Sequence, residues 1–203
     1  MTWETAGRMP SHDPEVDAEI GQEDSRIPGD VNMWVFVVGD FVIFSTYLVV
    51  FMVDRHRDVG VFLAGQHHVH LGLGVLNTVV LLTSSLLVAR GTAAARDGRG
   101  RAAVAAVLGA GACGTVFITV KAIEWAIEID SGRTFPSSTF FMYYYMLTGI
   151  HLFHVVLGLV ILGLVVVNLR RQGSRRLTEA GATYWHMVDL LWLLIFAVVY
   201  VMR

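Results

Sequence analysis

Long apolar runs alternate with short polar breaks along most of the chain after residue 30. Each run is long enough to cross a bilayer as a helix, which takes about 20 apolar residues. The strict alternation of barrel strands is absent, and a helix satisfies its own backbone hydrogen bonds in lipid. The pattern therefore predicts five transmembrane helices, near residues 31–53, 66–89, 102–126, 138–168 and 181–202.

The composition supports a membrane protein, because the chain is 55% hydrophobic and only 16% charged. Such a chain has too little polar surface to cover a soluble globule. Residues 1–30 differ from the rest, with eight acidic residues, two arginines and no apolar run. We therefore predict two parts: a disordered or surface-lying acidic tail over 1–30, and an all-α bundle of five transmembrane helices over 31–203.

The arginines predict the orientation of this bundle, because short loops rich in positive charge stay in the cytoplasm. The 90–101 and 170–180 loops carry four arginines each, whereas the 130–137 loop carries one. This distribution places the N-terminus inside and the C-terminus outside. The basic loops are too short to indicate a nucleic-acid partner.

A few ionisable side chains fall deep inside the predicted spans. Asp40 lies ten residues after Asp30, Asp189 lies ten residues after Glu179, and His186 shares a helix face with Asp189. A charge in the bilayer is costly unless it is paired or faces protein, so these positions are candidates for function.

Lys121, Glu124 and Glu128 are spaced to share one helix face near the outer end of the third span. Side chains at that depth can reach the interface and pair with one another. We interpret the three residues as an outer-face polar cluster, with contact to a partner subunit as the alternative.

His151 and His154 lie in the middle of the fourth span, and their chemistry alone allows a haem or metal site. A ligating imidazole usually has an acceptor for its second nitrogen, yet the flanking residues are Phe, Leu and Val. A polar packing pair is therefore the preferred interpretation. The QHHVH motif at 66–70 is interpreted as an interfacial polar cluster. The single cysteine, Cys113, excludes a disulfide framework and a thiolate cluster.

Small residues on two spans offer sites where helices can approach closely. The GAGACG segment at 109–114 does so on the third span, and Gly158 and Gly163 do so on the fourth.

Several segments resemble subunit III of the haem-copper oxidases. The segment YWHMVDLLWLLIF at 184–196 is similar to the last-helix signature of that family, Tyr-Trp-His-x-Val-Asp-x-x-Trp. STFFMYYYMLTGIHLFHVVLG at 138–158, LNTVVLLTSSLLVA at 76–89 and KAIEW at 121–125 resemble its other helices. The similarity covers nearly the whole chain after residue 30, in a five-helix form without the first two helices of the longest members.

The resemblance implies a non-catalytic subunit that packs on the catalytic subunit I of a respiratory complex. It implies that this chain binds no haem or copper, which belong to partner subunits, and that structural phospholipid is bound. In MWVFVVGDFVIF, Asp40 occupies the position of the family's buried carboxylate, where many oxidases have glutamate. Asp40, Trp34, His186 and Asp189 are thus candidates for proton uptake or lipid contact. Intramembrane polar packing is assigned to His151, His154, Asn77, Ser84 and Ser85.

Aspartate at position 40 also resembles the branch associated with nitric oxide reductases, so an accessory subunit of such a reductase is the alternative. A free-standing membrane haem or metal protein is a more distant one. The residue usage suggests a GC-rich bacterial source, and hence the plasma membrane. The sequence does not distinguish oxygen from nitric oxide as substrate, or cytochrome c from quinol as electron donor.

Overall fold

The computed structural model of the protein describes residues 31–135 and 137–202. The predicted acidic tail, residues 1–30, lies outside this range. The described chain is helical throughout, apart from its connections. It forms six α-helices and a final π-helical turn: α1 (Val31–Arg57), α2 (Val59–His68), α3 (Leu71–Arg96), α4 (Gly100–Asp130), α5 (Thr139–Arg170), α6 (Arg175–Phe196) and the π-helix Ala197–Val201.

Five of these helices are long and apolar enough to cross a membrane: α1, α3, α4, α5, and α6 with its π-helical turn. The predicted all-α class and the five spans are therefore confirmed. Most of the helices continue beyond the predicted spans, because arginine and other polar residues can stay helical where they reach the interface. The direction in which the bundle crosses the membrane stays a prediction.

The prediction was wrong about residues 54–70. We expected a loop at 54–65 and a second span starting at residue 66, but Val59–His68 form the short helix α2 and the span begins at Leu71. At 10 residues, α2 is too short to cross the hydrocarbon. It packs inward instead, because Phe62 is fully buried against Phe51 and Phe140.

The last spanning helix, α6, occupies the centre of the bundle and packs against α3 and α5, while α3 and α4 form an antiparallel pair. Trp185 of α6 fits between two glycines of neighbouring helices. A Cβ atom would lie 2.8 Å from its ring at Gly114 and 2.9 Å at Gly158. Only glycine leaves room for the indole here. The small-residue prediction is confirmed at these two positions and wrong for Gly163, which has nothing within 4 Å of a built Cβ.

Tight turns at both ends of α4 let consecutive helices run antiparallel. Gly98 (φ 74°) follows α3 and Gly132 (φ 77°) follows α4. Both have the left-handed backbone that glycine adopts without steric cost, in the position that commonly ends a helix. The turns at 97–99 and 171–174 therefore lie at one end of the bundle, and the connection at 131–138 lies at the other end.

Candidate functional site

Asp40 of α1 and His154 of α5 form a buried polar pair. Their side chains are 12% and 9% exposed, and Oδ2 of Asp40 lies 2.9 Å from Nε2 of His154. The other ring nitrogen, Nδ1, lies 2.7 Å from the carbonyl oxygen of Ile150. A carbonyl oxygen only accepts, so Nδ1 carries a hydrogen, and Nε2 is the nitrogen that faces the carboxylate. The two side chains therefore bring α1 and α5 together through a polar contact inside the bundle.

This pair corrects the interpretation drawn from the residues flanking His154. Those neighbours suggested that no carboxylate lies near the imidazole, but Asp40 reaches it from a different helix. Phe44 and Phe153 pack edge-on against the ring, with centroids 5.7 and 5.8 Å away. The carboxylate therefore meets the imidazole in an apolar setting, where electrostatic contacts are stronger than in water.

His151 lies apart from this polar pair. It is fully buried, and within the described residues neither ring nitrogen has a hydrogen-bond partner. Its ring packs instead against Phe117 and Trp192, with centroids 5.5 and 5.4 Å away. The two histidines expected to act as one packing pair thus have different surroundings, and only His154 contacts a carboxylate.

The polar residues predicted on α3 lie against α6 rather than against the histidines of α5. Oγ of Ser85 lies 2.7 Å from Nδ1 of His186. Ser84 accepts a hydrogen bond from Nε1 of Trp185 (2.9 Å) and donates one to the carbonyl oxygen of Ala110 (2.9 Å). Asn77 is fully buried, and no described residue forms a hydrogen bond with its amide.

Asp189 is also buried on this α6 face. It is 5% exposed, and Ser85 of α3 lies close enough to interact with its carboxylate, but within the described part of the chain no hydrogen bond of normal geometry reaches either oxygen. A buried polar group without a partner is unusual in a folded protein and calls for an explanation, such as a water or ligand in the native membrane. The structure therefore keeps Asp189 as a candidate site but separates it from Asp40.

Lys121, Glu124 and Glu128 were expected to pair with one another and to reach the interface; the pairing is confirmed for Lys121 and Glu124, and the access to the interface was wrong. All three are fully buried inside the bundle. Lys121 pairs with Glu124, with Nζ 3.1 Å from Oε2. Lys121 also donates hydrogen bonds to the hydroxyls of Tyr144 and Tyr200. The reason is that α5 and the π-helical turn cover this face of α4.

The two tyrosines complete this buried network by donating hydrogen bonds to Glu124. The distances to Oε1 are 2.9 Å from Tyr144 and 2.7 Å from Tyr200. Glu128 forms a separate pair with Nε of Arg133 at 2.5 Å. The sequence showed the charged residues, but the tyrosine partners were missed because they lie 20 to 79 residues further along the chain.

A second set of partners was missed on α6. Trp192 donates a hydrogen bond from Nε1 to Oγ1 of Thr78 at 3.0 Å, just as Trp185 donates to Ser84. A buried indole N–H usually needs such an acceptor. The available signal was a pair of tryptophans seven residues apart, and so on one face of α6, together with hydroxyl residues on α3.

The remaining predicted residue, Trp34, is 39% exposed on α1. It lines a shallow apolar groove on the outer face of that helix, together with Val38 and Val42, and Asp40 does not line this groove. The structure therefore does not bring Trp34 and Asp40 into one site. His67, His68 and His70 of the QHHVH motif are exposed, and no group of three potential metal ligands occurs within residues 31–135 and 137–202.

Residues 29–203 match the family model described as cytochrome c oxidase subunit III. The chain belongs to this family. The match confirms the resemblance that was based on the last-helix signature. It also confirms the expected role, since members of this family are non-catalytic membrane subunits of haem-copper oxidases.

Curated members of the subunit III family show the same relationship at low identity. The chain is 26% identical to quinol oxidase subunit 3 of Bacillus subtilis over 176 residues, which are 85% of this chain and 86% of the relative. It is 28% identical to cytochrome c oxidase subunit 3 of Corynebacterium diphtheriae, over 82% and 84% of the two chains. It is also 28% identical to a haem-copper oxidase subunit I+III of Aeropyrum pernix, where the match covers 83% of this chain but 22% of that longer protein.

Proposed function

We propose that this chain is the non-catalytic subunit III of a haem-copper respiratory oxidase and packs against the catalytic subunit I, which carries the haem and copper. The observation that carries this proposal is the Aeropyrum relative, in which one polypeptide is named for both subunits. Two subunits joined in one chain are held close together. We extend this proximity to subunit I to the present chain, in a bacterial plasma membrane.

The exposure of α1 supports a protein or lipid contact on that side of the bundle. Few of its residues are buried, and Val35, Val42 and Ile43 are more than half exposed. An exposed apolar surface is normal in lipid, but α1 also carries Asp40 on its inner side. We propose that subunit I or a bound phospholipid covers the outer face of α1.

The geometry of Asp40 supports an additional role in proton uptake. Its carboxylate lies 2.9 Å from Nε2 of His154, and 12% of the Asp40 side chain remains exposed. A carboxylate that is paired but still accessible can exchange a proton with the outside of the bundle. We propose that Asp40 and His154 pass protons towards the partner subunit and so support the catalytic site during turnover.

Co-purification tests the assignment to an oxidase. An affinity tag belongs at the N-terminus, because Gln66 donates hydrogen bonds to the carbonyl oxygens of Val199 and Met202 near the other end. Membranes are extracted in mild detergent, and the associated proteins are identified by mass spectrometry. An untagged strain controls for adventitious capture.

We expect an oxidase subunit I with its haem spectrum. Recovery of a nitric oxide reductase instead would assign the chain to the accessory role suggested by Asp40. A chain recovered alone with a Soret band would support the free-standing haem protein and contradict the proposal.

A further inference from the structure

An open cavity of about 770 Å³ lies at the end of the bundle that carries the 97–99 and 171–174 turns. Arg101 and Arg175 line it from the first turns of α4 and α6, and Arg170 lines it from the last turn of α5. Val104 and Leu108 of α4 form an apolar strip beside these arginines. The cavity wall thus combines guanidinium groups with an apolar surface.

The arginines of this wall lack counter-charges in the described chain. Glu179 is the one carboxylate among the described lining residues, and it already pairs with Arg96, whose Nη2 lies 3.1 Å from its Oε1. No described residue forms an ion pair with Arg101, Arg170 or Arg175. The first turns of α4 and α6 also contain no acidic residue that would complement the positive end of a helix dipole. The complement is therefore expected outside the described residues.

The acidic N-terminal segment has the charge that this end of the bundle lacks. Residues 1–30 contain eight acidic residues and two arginines, which gives a side-chain charge of −6. The 90–101 and 170–180 segments together contain eight arginines and two carboxylates, which gives +6. Such exposed charges attract one another when they come within about 8–10 Å at physiological ionic strength. The two parts of the chain are therefore electrostatically complementary.

The N-terminal segment joins the bundle at the same end as the cavity. Near its last residue, α1 carries Asp54, which accepts a hydrogen bond from the hydroxyl of Tyr143 at 2.6 Å. Tyr143 lies in the first turns of α5, beside the 131–138 connection. Helix α1 therefore ends at that connection and begins at the opposite end of the bundle. It also packs against α5 and α6, two of the four helices whose ends surround the cavity.

The segment from Asp13 to Ile20 matches both surfaces of the cavity. In this stretch, DPEVDAEI, acidic and apolar residues alternate. Side chains of an extended chain point alternately to opposite sides, so the four acidic side chains share one side and the apolar ones share the other. The ten residues from Ile20 to Asp30 span up to about 33 Å when extended, which exceeds the width of two packed helices, about 20 Å. The segment can therefore reach the cavity.

We propose that residues 13–20 of the chain's own N-terminal segment bind in this cavity in an extended conformation. Their carboxylates contact Arg101, Arg170 and Arg175, and their apolar side packs on Val104 and Leu108. Arginine binds carboxylates through paired hydrogen bonds, which orient the segment as well as neutralise the charge. The inference does not depend on which catalytic subunit the chain accompanies, so recovery of a different catalytic subunit would leave it intact.

Charge reversal tests this contact in the full-length chain, purified with its associated subunits in mild detergent. Arg101→Glu/Arg175→Glu reverses the cavity, and the variant should fold, because acidic residues are favourable in the first turn of a helix. Glu15→Arg/Asp17→Arg reverses the segment. Spin labels at Gly21→Cys and Ala102→Cys, in a Cys113→Ser background, report the distance between segment and cavity. Both label positions flank the contact: Gly21 follows the segment, and Ala102 is exposed but does not line the cavity.

We expect a narrow distance distribution in the wild type and a broad one in each reversed variant. Combining the two reversals should restore the narrow distribution, because the opposite charges face one another again. The control Arg171→Glu/Arg176→Glu changes the same end by equal charge, at positions that do not line the cavity, and should leave the distribution narrow. A broad distribution in the wild type, or equal broadening by the cavity and control pairs, would overturn the proposal.

Proteolysis provides a second readout without labels and tests a competing occupant. A glutamate-specific protease should cleave after Glu15 and Glu19 about tenfold more slowly in the wild type than in Arg101→Glu/Arg175→Glu, because a bound segment is cleaved only when it is released. We expect this protection to persist in nanodiscs that contain phosphatidylglycerol. If that lipid makes cleavage of the wild type as fast as in the variant, an anionic lipid is the occupant and the proposal is wrong.

Discussion

Charged side chains have opposite surroundings at the two ends of the helical bundle. At the end near the 131–138 connection, Lys121 and Glu124 are enclosed and satisfied by each other and by two tyrosine hydroxyls. At the other end, Arg101 and Arg175 line an open cavity without a counter-charge from the described chain. The first arrangement serves the fold of this chain, whereas the second is available to a group outside the described residues.

The largest expected effect on stability comes from disrupting the buried pair of Lys121 and Glu124. Glu124→Ala leaves Lys121 buried without its carboxylate partner, and such a loss costs about 3–5 kcal/mol. We expect poor accumulation of the subunit and a markedly lower thermal inactivation midpoint of the purified complex. The double variant Lys121→Met/Glu124→Leu should recover most of this stability, because it removes both charges together. A Glu124→Ala complex as stable as the wild type would contradict the view that this buried pair stabilises the fold.

A smaller effect is expected when only one hydroxyl of this network is removed. Tyr200→Phe deletes the group that bonds both Lys121 and Glu124, and hydrogen bonds to charged groups contribute about 1.5–3 kcal/mol. Tyr145→Phe is the control, since its hydroxyl donates only to the backbone carbonyl oxygen of Arg133. Thermal inactivation midpoints should fall more for Tyr200→Phe than for Tyr145→Phe. The reverse order would mean that the hydrogen bond to the 131–138 connection stabilises the subunit more than the hydrogen bonds to Lys121 and Glu124 do.

Asp40 lies between the two extremes, because it is paired within the chain yet partly accessible. Asp40→Ala should leave the subunit assembled, with a loss of stability of about 1 kcal/mol, while proton-coupled turnover slows or the active lifetime shortens. Steady-state rate and activity over many turnovers are the measurements. Asp58→Ala, an exposed carboxylate after the end of α1, is the control. Unchanged rate and lifetime would remove Asp40 from the mechanism.

The smallest effect on folding is expected at the open end. Arg101→Gln/Arg175→Gln should change the free energy of unfolding by no more than about 0.5 kcal/mol in a chain without residues 2–28, because these side chains are then exposed and unpaired. In the full-length chain the same substitutions should also lower the thermal inactivation midpoint slightly, because they remove the proposed contact with residues 13–20. A large destabilisation without residues 2–28 would mean that these arginines hold the fold together themselves.

The sequence was sufficient for the spans and insufficient for the rotation of each helix about its axis. Five apolar runs predicted α1, α3, α4, α5 and α6, because an apolar run that crosses lipid must form a helix to satisfy its backbone hydrogen bonds. The depth of Lys121 along α4 was also readable, but whether it faced lipid, water or protein depended on Tyr200, 79 residues later. The same limit applied to His154, whose carboxylate partner lies on α1. Helix α2 was missed because a short apolar helix carries no length signal of its own.

The distance along the chain between Lys121 and Tyr200 also sets an order of events during synthesis. Helix α4 is made well before the π-helical turn that supplies the tyrosine, since 79 residues separate the two. Until that turn arrives, the lysine inserted in the membrane lacks one of its partners and is not yet enclosed. The enclosure of this lysine is therefore completed only when the last helix of the subunit has been made and has packed against α4.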